Sequence, residues 1–171
     1  PNNVQDYIKN ILENMPIEWL NLTTHRLDIY EEKLAKTQFL EQLKNLFEKN
    51  ISDKYSLQNL PTAYDYIRLG HPLSCILEWS IAELNNLDAA NVISFSSRTI
   101  SLFSILRKNA LENKNTQVIY KDEIPFDLDL NLLKEIYGYS FDLTKVQDIS
   151  SIPPFDGTTV YLSNQKDFFN F

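Results

Sequence analysis

Between residues 73 and 162 the spacing of apolar residues switches repeatedly between a period near 3.6 and short β-type runs, and this alternation constrains the fold more than any other feature. After Pro72, residues Leu73, Ile76, Leu77, Ile81 and Leu84 recur as on a helix, and Val92-Ile93-Ser94-Phe95 follows with strand character. A helix is predicted from Arg98 to Leu111, with Ile100, Phe103 and Leu106 on one side and Leu102 and Ile105 close by. Gln117 to Tyr120 then reads as a strand. Asp127 or Asp129 is placed to cap a helix carrying Leu130, Leu133 and Ile136, and Gly138 stands where a left-handed C-terminal residue is expected. Tyr139 to Leu143 returns to strand character, as does Thr158 to Leu162 behind Pro153-Pro154 and an Asp156-Gly157 turn. Parallel strands need crossover connections, and helices between strands supply them. The expected class is therefore α/β, with a mostly parallel sheet of about four strands flanked by helices.

Residues 1–50 read as a helical N-terminal segment. Val4, Ile8, Ile11 and Leu12 make one face, Pro16 interrupts, and Thr23-Thr24 precedes a second amphipathic helix. Its stripe is Leu27, Tyr30, Leu34, Leu40, Leu43 and Phe47, which covers either the domain's own core or a docking surface. Residues 51–62, with Ser52, Asp53, Asn59 and Pro61, show no sustained period and read as a connector. Residues 63–171 make up the α/β domain. A chain of 171 residues suits one main core.

A formal charge of −7 with dispersed lysines and arginines argues against nucleic acid as a partner, because phosphate binding relies on clustered cations. Gly70, Gly138 and Gly157 are the only glycines, and they lie too far apart for a dinucleotide or Walker loop. No run reaches the length of a membrane span, and the first residues lack the pattern of a signal peptide. Cys75 is the single cysteine, so no internal disulfide is expected and a reducing, cytoplasmic compartment fits. His71, Cys75 and Glu78 are spaced to share a helix face but read as packing, and Asp122, Glu123, Asp127 and Asp129 read as a loop with helix caps. No metal site is expected.

One set of motifs carries a family resemblance. Tyr66-Ile67-Arg68-Leu69-Gly70-His71-Pro72-Leu73, followed by Leu77-Glu78, Ile81-Ala82 and Leu84, resembles the family of pyridoxal-phosphate enzymes that includes cystathionine synthase, cystathionine lyase and methionine γ-lyase. The family pattern there is Tyr-x-Arg-x-Gly-Asn-Pro-Thr, then Leu-Glu, Ile-Ala and Leu. Val92-Ile93-Ser94-Phe95-Ser96-Ser97-Arg98-Thr99 matches a strand leading into Ser-Ser-Gly-Met and a helix, and Val160-Tyr161-Leu162-Ser163 matches Val-Tyr-Leu-Glu. The resemblance covers about residues 60 to 165. It implies a phosphate or anion site at Ser96, Ser97, Arg98 and Thr99, where a helix N-terminus offers backbone N–H groups and a positive dipole end. It also implies that Tyr66 and Arg68 reach a cofactor phosphate across a subunit boundary, a task suited to the planar guanidinium fork.

The departures from the pattern bear on the chemistry. Arg98 stands where the family has the glycine of the phosphate turn, and His71 and Leu73 replace the Asn and Thr around the proline. Pro125-Phe126-Asp127-Leu128 replaces the Tyr-Gly-Gly-Thr segment whose tyrosine stacks on the cofactor ring. No lysine matches the Schiff-base lysine, which holds and releases the cofactor aldehyde. The expectation is a chain with no catalytic residues and no cofactor on its own, acting as a scaffold or protein-interaction domain. The alternative is the N-terminal portion of a longer pyridoxal-phosphate enzyme of sulfur amino-acid metabolism. Retention of Tyr66 and Arg68 further points to a protein partner or a weak homodimer.

Overall fold

The computed structural model describes residues 3–20, 36–61, 71–124, 127–149, 152 and 154–164. They fall into two compact units, Pro1–Ser94 and Phe95–Phe171.

The first unit is helical. Helix α1 (Val4–Asn14) starts at Asn3, whose side chain accepts from the Gln5 amide at 2.9 Å. Its buried face is Tyr7 and Ile11, with Val4 packed alongside, whereas Leu12 is half-exposed. Tyr7 reaches the core because its hydroxyl has a partner, donating to the Ile51 carbonyl at 2.8 Å, and burial pushes its pKa up to about 12. Helix α2 (Gln38–Glu48) buries Phe39 and Leu43, one turn apart, while Leu40, Leu46 and Phe47 pack around them. The Leu27, Tyr30 and Leu34 part of the expected stripe lies outside the described residues.

A short helix α3 (Lys54–Gln58) forms inside the stretch expected as a connector. Asp53 caps it, accepting from the Ser56 amide at 3.0 Å and hydroxyl at 2.6 Å, and these bonds hold the carboxyl below its ordinary range. Leu57 and Leu60 then enter the core, so this stretch packs instead of merely linking.

Helix α4 (Pro72–Asn85) has Pro72 at its first position and Asn86 as its left-handed C-terminal residue. It packs on α1 and α2 in the first unit. The buried face is Cys75, Ile76, Trp79 and Ala82, rotated from the expected stripe, and Leu77 and Leu84 are half-exposed. The indole of Trp79 meets the rings of Tyr7 and Phe47 edge to face, with centroids 6.2 and 5.1 Å away.

The second unit is the α/β part. Helix α5 (Arg98–Leu111) is followed by strands β1 (Thr116–Tyr120), β2 (Asp142–Lys145) and β3 (Thr158–Leu162). All pairings are parallel, in the order β2-β1-β3, with Val118 opposite Leu143 on one side and Val160 on the other. Between β1 and β2 the chain makes one π turn (Leu132–Ile136), whose Leu132 amide is capped by Asp129 at 2.9 Å. Gly138 closes it at φ +70°. The core of this unit is Leu102, Leu106, Val118, Leu133, Phe141 and Val160.

The sheet has three strands among the described residues where about four were expected. Val92–Phe95 is the difference. Val92 is extended, at φ −115° and ψ 125°, but the segment joins no sheet among the described residues, and side chains take two groups that a neighbouring strand would have used. The Val92 carbonyl accepts from Lys36 Nζ at 3.3 Å, and the Ser94 amide donates to Glu78 Oε1 at 2.8 Å. No helix among the described residues is long and apolar enough to cross a membrane.

Candidate functional site

The resemblance located its anion site at the start of α5, and the topology of the second unit puts that start at an informative end of the sheet. Only residues 112–115 join α5 to β1, and Asn109 near the end of α5 donates to the Thr116 hydroxyl at 2.9 Å. With Leu102 and Leu106 packed in one core with Val118, the helix runs back along the strand. Its N-terminus therefore faces the carboxyl ends of the three strands.

Ser97 occupies the N-cap position with extended backbone, φ −134° and ψ 138°, yet its side chain makes no capping hydrogen bond. Its hydroxyl lies 3.0 Å from that of Thr99, and Ser101 donates to the Arg98 carbonyl at 2.9 Å. Ser96 and Arg98 are exposed, Ser97 and Thr99 half-buried. Tyr66 and Arg68 lie outside the described residues, as do Pro125 and Phe126.

A cleft of about 450 Å³ opens at the carboxyl ends of the strands. Lys121, Asp122 and Glu123 follow β1, Lys145 ends β2, and Ser163 and Asn164 follow β3. In the order β2-β1-β3 the connection from β1 leads to β2 on one side and that from β2 crosses back over β1 to β3 on the other, and points where strand order reverses in this way are where open α/β sheets hold ligands. None of Ser96, Ser97, Arg98 or Thr99 lines this cleft. The sequence reading assigned no site to these residues, although Lys121, Asp122 and Glu123 directly follow a strand it located, as do Ser163 and Asn164; β2 lies at Asp142–Lys145 instead of the expected Tyr139 to Leu143.

In the first unit the resemblance motifs meet in one polar cluster. Glu78, 6% exposed, accepts from both the amide and the hydroxyl of Ser94, at 2.8 and 2.9 Å, through Oε1. Its Oε2 pairs with Lys36 at 2.9 Å, and the same ammonium reaches the Val92 carbonyl. Both carboxylate oxygens are thus engaged, as a buried charge requires. The Leu77-Glu78 motif holds the segment that leads into Ser96. Lys36 carries no sequence signal for this role, lying 42 residues from its partner.

Cys75 is buried, and its thiol is pushed up to about 11 by desolvation first and the Glu78 charge second. A disulfide-exchange probe should therefore label the folded protein roughly a hundredfold more slowly than the urea-unfolded chain at neutral pH. Equal rates in absorbance-monitored labelling would show an accessible, activated thiol. His71 caps α4 through Nδ1, which accepts from the Leu73 amide at 3.2 Å. Among the described residues no three His, Cys, Asp or Glu side chains gather as a metal-ligand group, so His71, Cys75 and Glu78 do not form one.

A groove of about 590 Å³ also runs between α2 and α4, with Leu40, Glu41 and Lys44 facing Glu83, Leu87 and Ala89. No family model, curated protein or solved structure matches the chain.

Proposed function

We propose that the chain is a non-catalytic scaffold or protein-interaction domain on a degenerate frame of the pyridoxal-enzyme type. The observation that carries this reading is the commitment of Glu78 to structure. A buried carboxylate within the resemblance motifs uses both oxygens to hold Lys36 and Ser94, which commits it to positioning backbone and not to acid–base work. The raised thiol of Cys75 and the capping role of His71 support it in the same way. Arg98, standing where the resembled family has glycine, adds a cation to the turn. The partner is a protein, either a second copy or another chain, and a reducing cytoplasmic setting suits a chain with a single cysteine.

The test is a titration of the purified protein with pyridoxal phosphate, followed by absorbance. No internal-aldimine band near the visible edge is the expected result. A stoichiometric band that disappears on substitution of one lysine overturns the proposal.

The second reading, the N-terminal portion of a longer pyridoxal-phosphate enzyme, is favoured by one different observation. The N-terminus of α5 and the carboxyl ends of three parallel strands share one end of the second unit, an arrangement suited to a phosphorylated ligand. Reading the gene beyond Phe171 decides it: a downstream lysine-bearing segment supports this reading, and a stop codon removes it.

A further inference from the structure

We infer that His71 makes the start of α4 acid-sensitive, so that lowering the pH through the histidine range releases the first turn of this helix. The inference rests on the cap geometry. Nδ1 accepts from the Leu73 amide at 3.2 Å, so it must carry a lone pair, and the ring proton of the neutral form sits on Nε2. Protonation places a hydrogen on Nδ1 opposite the Leu73 N–H and removes the acceptor. It also sets a positive charge at the positive end of a 14-residue helix. Relief by water is limited, because the side chain is only 6% exposed and Nε2 is sealed from solvent.

Burial accordingly lowers the histidine pKa, and the backbone of Trp19 offsets only part of that effect. Among the described residues, the titratable groups on the elements at this end are Cys75, one turn along α4, and Glu18, beside Trp19. The sign follows. A folded-state pKa below the unfolded value of 6.5 gives a contribution that is complete above that value and lost as the pH falls. The resembled family has asparagine at this position, an equally good cap that does not titrate.

The experiment compares urea unfolding of the full chain and its His71→Asn variant at pH 7.5 and 5.5. Between these values the unfolding constant of the wild type should rise by up to about tenfold more than that of the variant, the limit for one group of unfolded pKa near 6.5. His25 is common to both proteins and cancels. Hydrogen exchange supplies a local readout: the Leu73 amide should lose protection at pH 5.5 in the wild type and keep it in His71→Asn. His71→Ala, lacking any cap, should be less stable at both values and show no extra acid dependence. An identical pH response in wild type and His71→Asn, or unchanged Leu73 protection, overturns the inference.

Discussion

Replacing Glu78 by alanine should destabilise the protein by about 3 kcal/mol, read as a drop of about 1 M or more in the urea midpoint. The loss is large because one truncation leaves three groups without their partner. The Ser94 amide and hydroxyl lose their acceptor, and Lys36 is left as a partly buried cation with the Val92 carbonyl as its one acceptor among the described residues. Leaving one member of a buried pair costs about 3–5 kcal/mol, and the lower end applies because the Lys36 side chain is 25% exposed. Glu78→Gln keeps an acceptor for Ser94 and should cost about half as much. In the double variant Glu78→Ala, Lys36→Met the stranded cation is gone, so the combined loss should be smaller than the sum. Full additivity, or a loss below about 1 kcal/mol for Glu78→Ala, would remove the cluster as a structural clamp.

The same cluster shows where sequence reading stops. Local signals worked where partners are near in the chain. The bounds of α5 and β3 agree with their expected ranges, and Gly138 adopts the left-handed conformation that its place after a helical stretch implied. Signals failed where a choice depended on distant partners. Val92–Phe95 has strand composition, but Lys36 and Glu78 occupy two of its backbone groups, and neither position announces this. Helix α4 is apolar on more than one side, so periodicity alone could not say that Cys75, Ile76 and Trp79 face inward and Leu77 outward. The stretch 51–62 reads as polar, yet Asp53 caps a helix of five residues that delivers Leu57 to the core.

Chain termination of helices carries a related lesson. With three glycines in the whole chain, α2, α4 and α5 instead lead into Asn50, Asn86 and Asn113, each with φ near +53°. Asparagine tolerates this region better than other non-glycine residues. The Asn-rich composition therefore has a structural use in the first and second units alike. For the candidate site, the turn at Ser96 to Thr99 was legible because helix N-termini have a local signature. The cleft after the strands was not, since Lys121, Lys145 and Asn164 converge only once β1, β2 and β3 pair.

Of the two described glycines, Gly157 should tolerate alanine far less than Gly138. Gly138, at φ +70°, has open space where a Cβ would project, so Gly138→Ala should cost about 1 kcal/mol from backbone conformation alone. Gly157 lies at φ +154°, in a region nearly reserved for glycine, and an added Cβ would overlap the carbonyl oxygen of Asn115. It would also come within 2.7 Å of the Phe155 ring and 2.9 Å of the Asn115 carbonyl carbon. Backbone cannot move aside as a flexible side chain does. The same Asn115 oxygen accepts from the Thr158 amide at 2.9 Å, and Asn115 directly precedes β1, so any shift is passed to the Thr116–Thr158 register. Gly157→Ala should therefore cost about 3 kcal/mol or more, with loss of amide protection at Thr158 before the rest of β3. A urea midpoint within experimental error of wild type would mean that the β3 entry does not press against Asn115 as described.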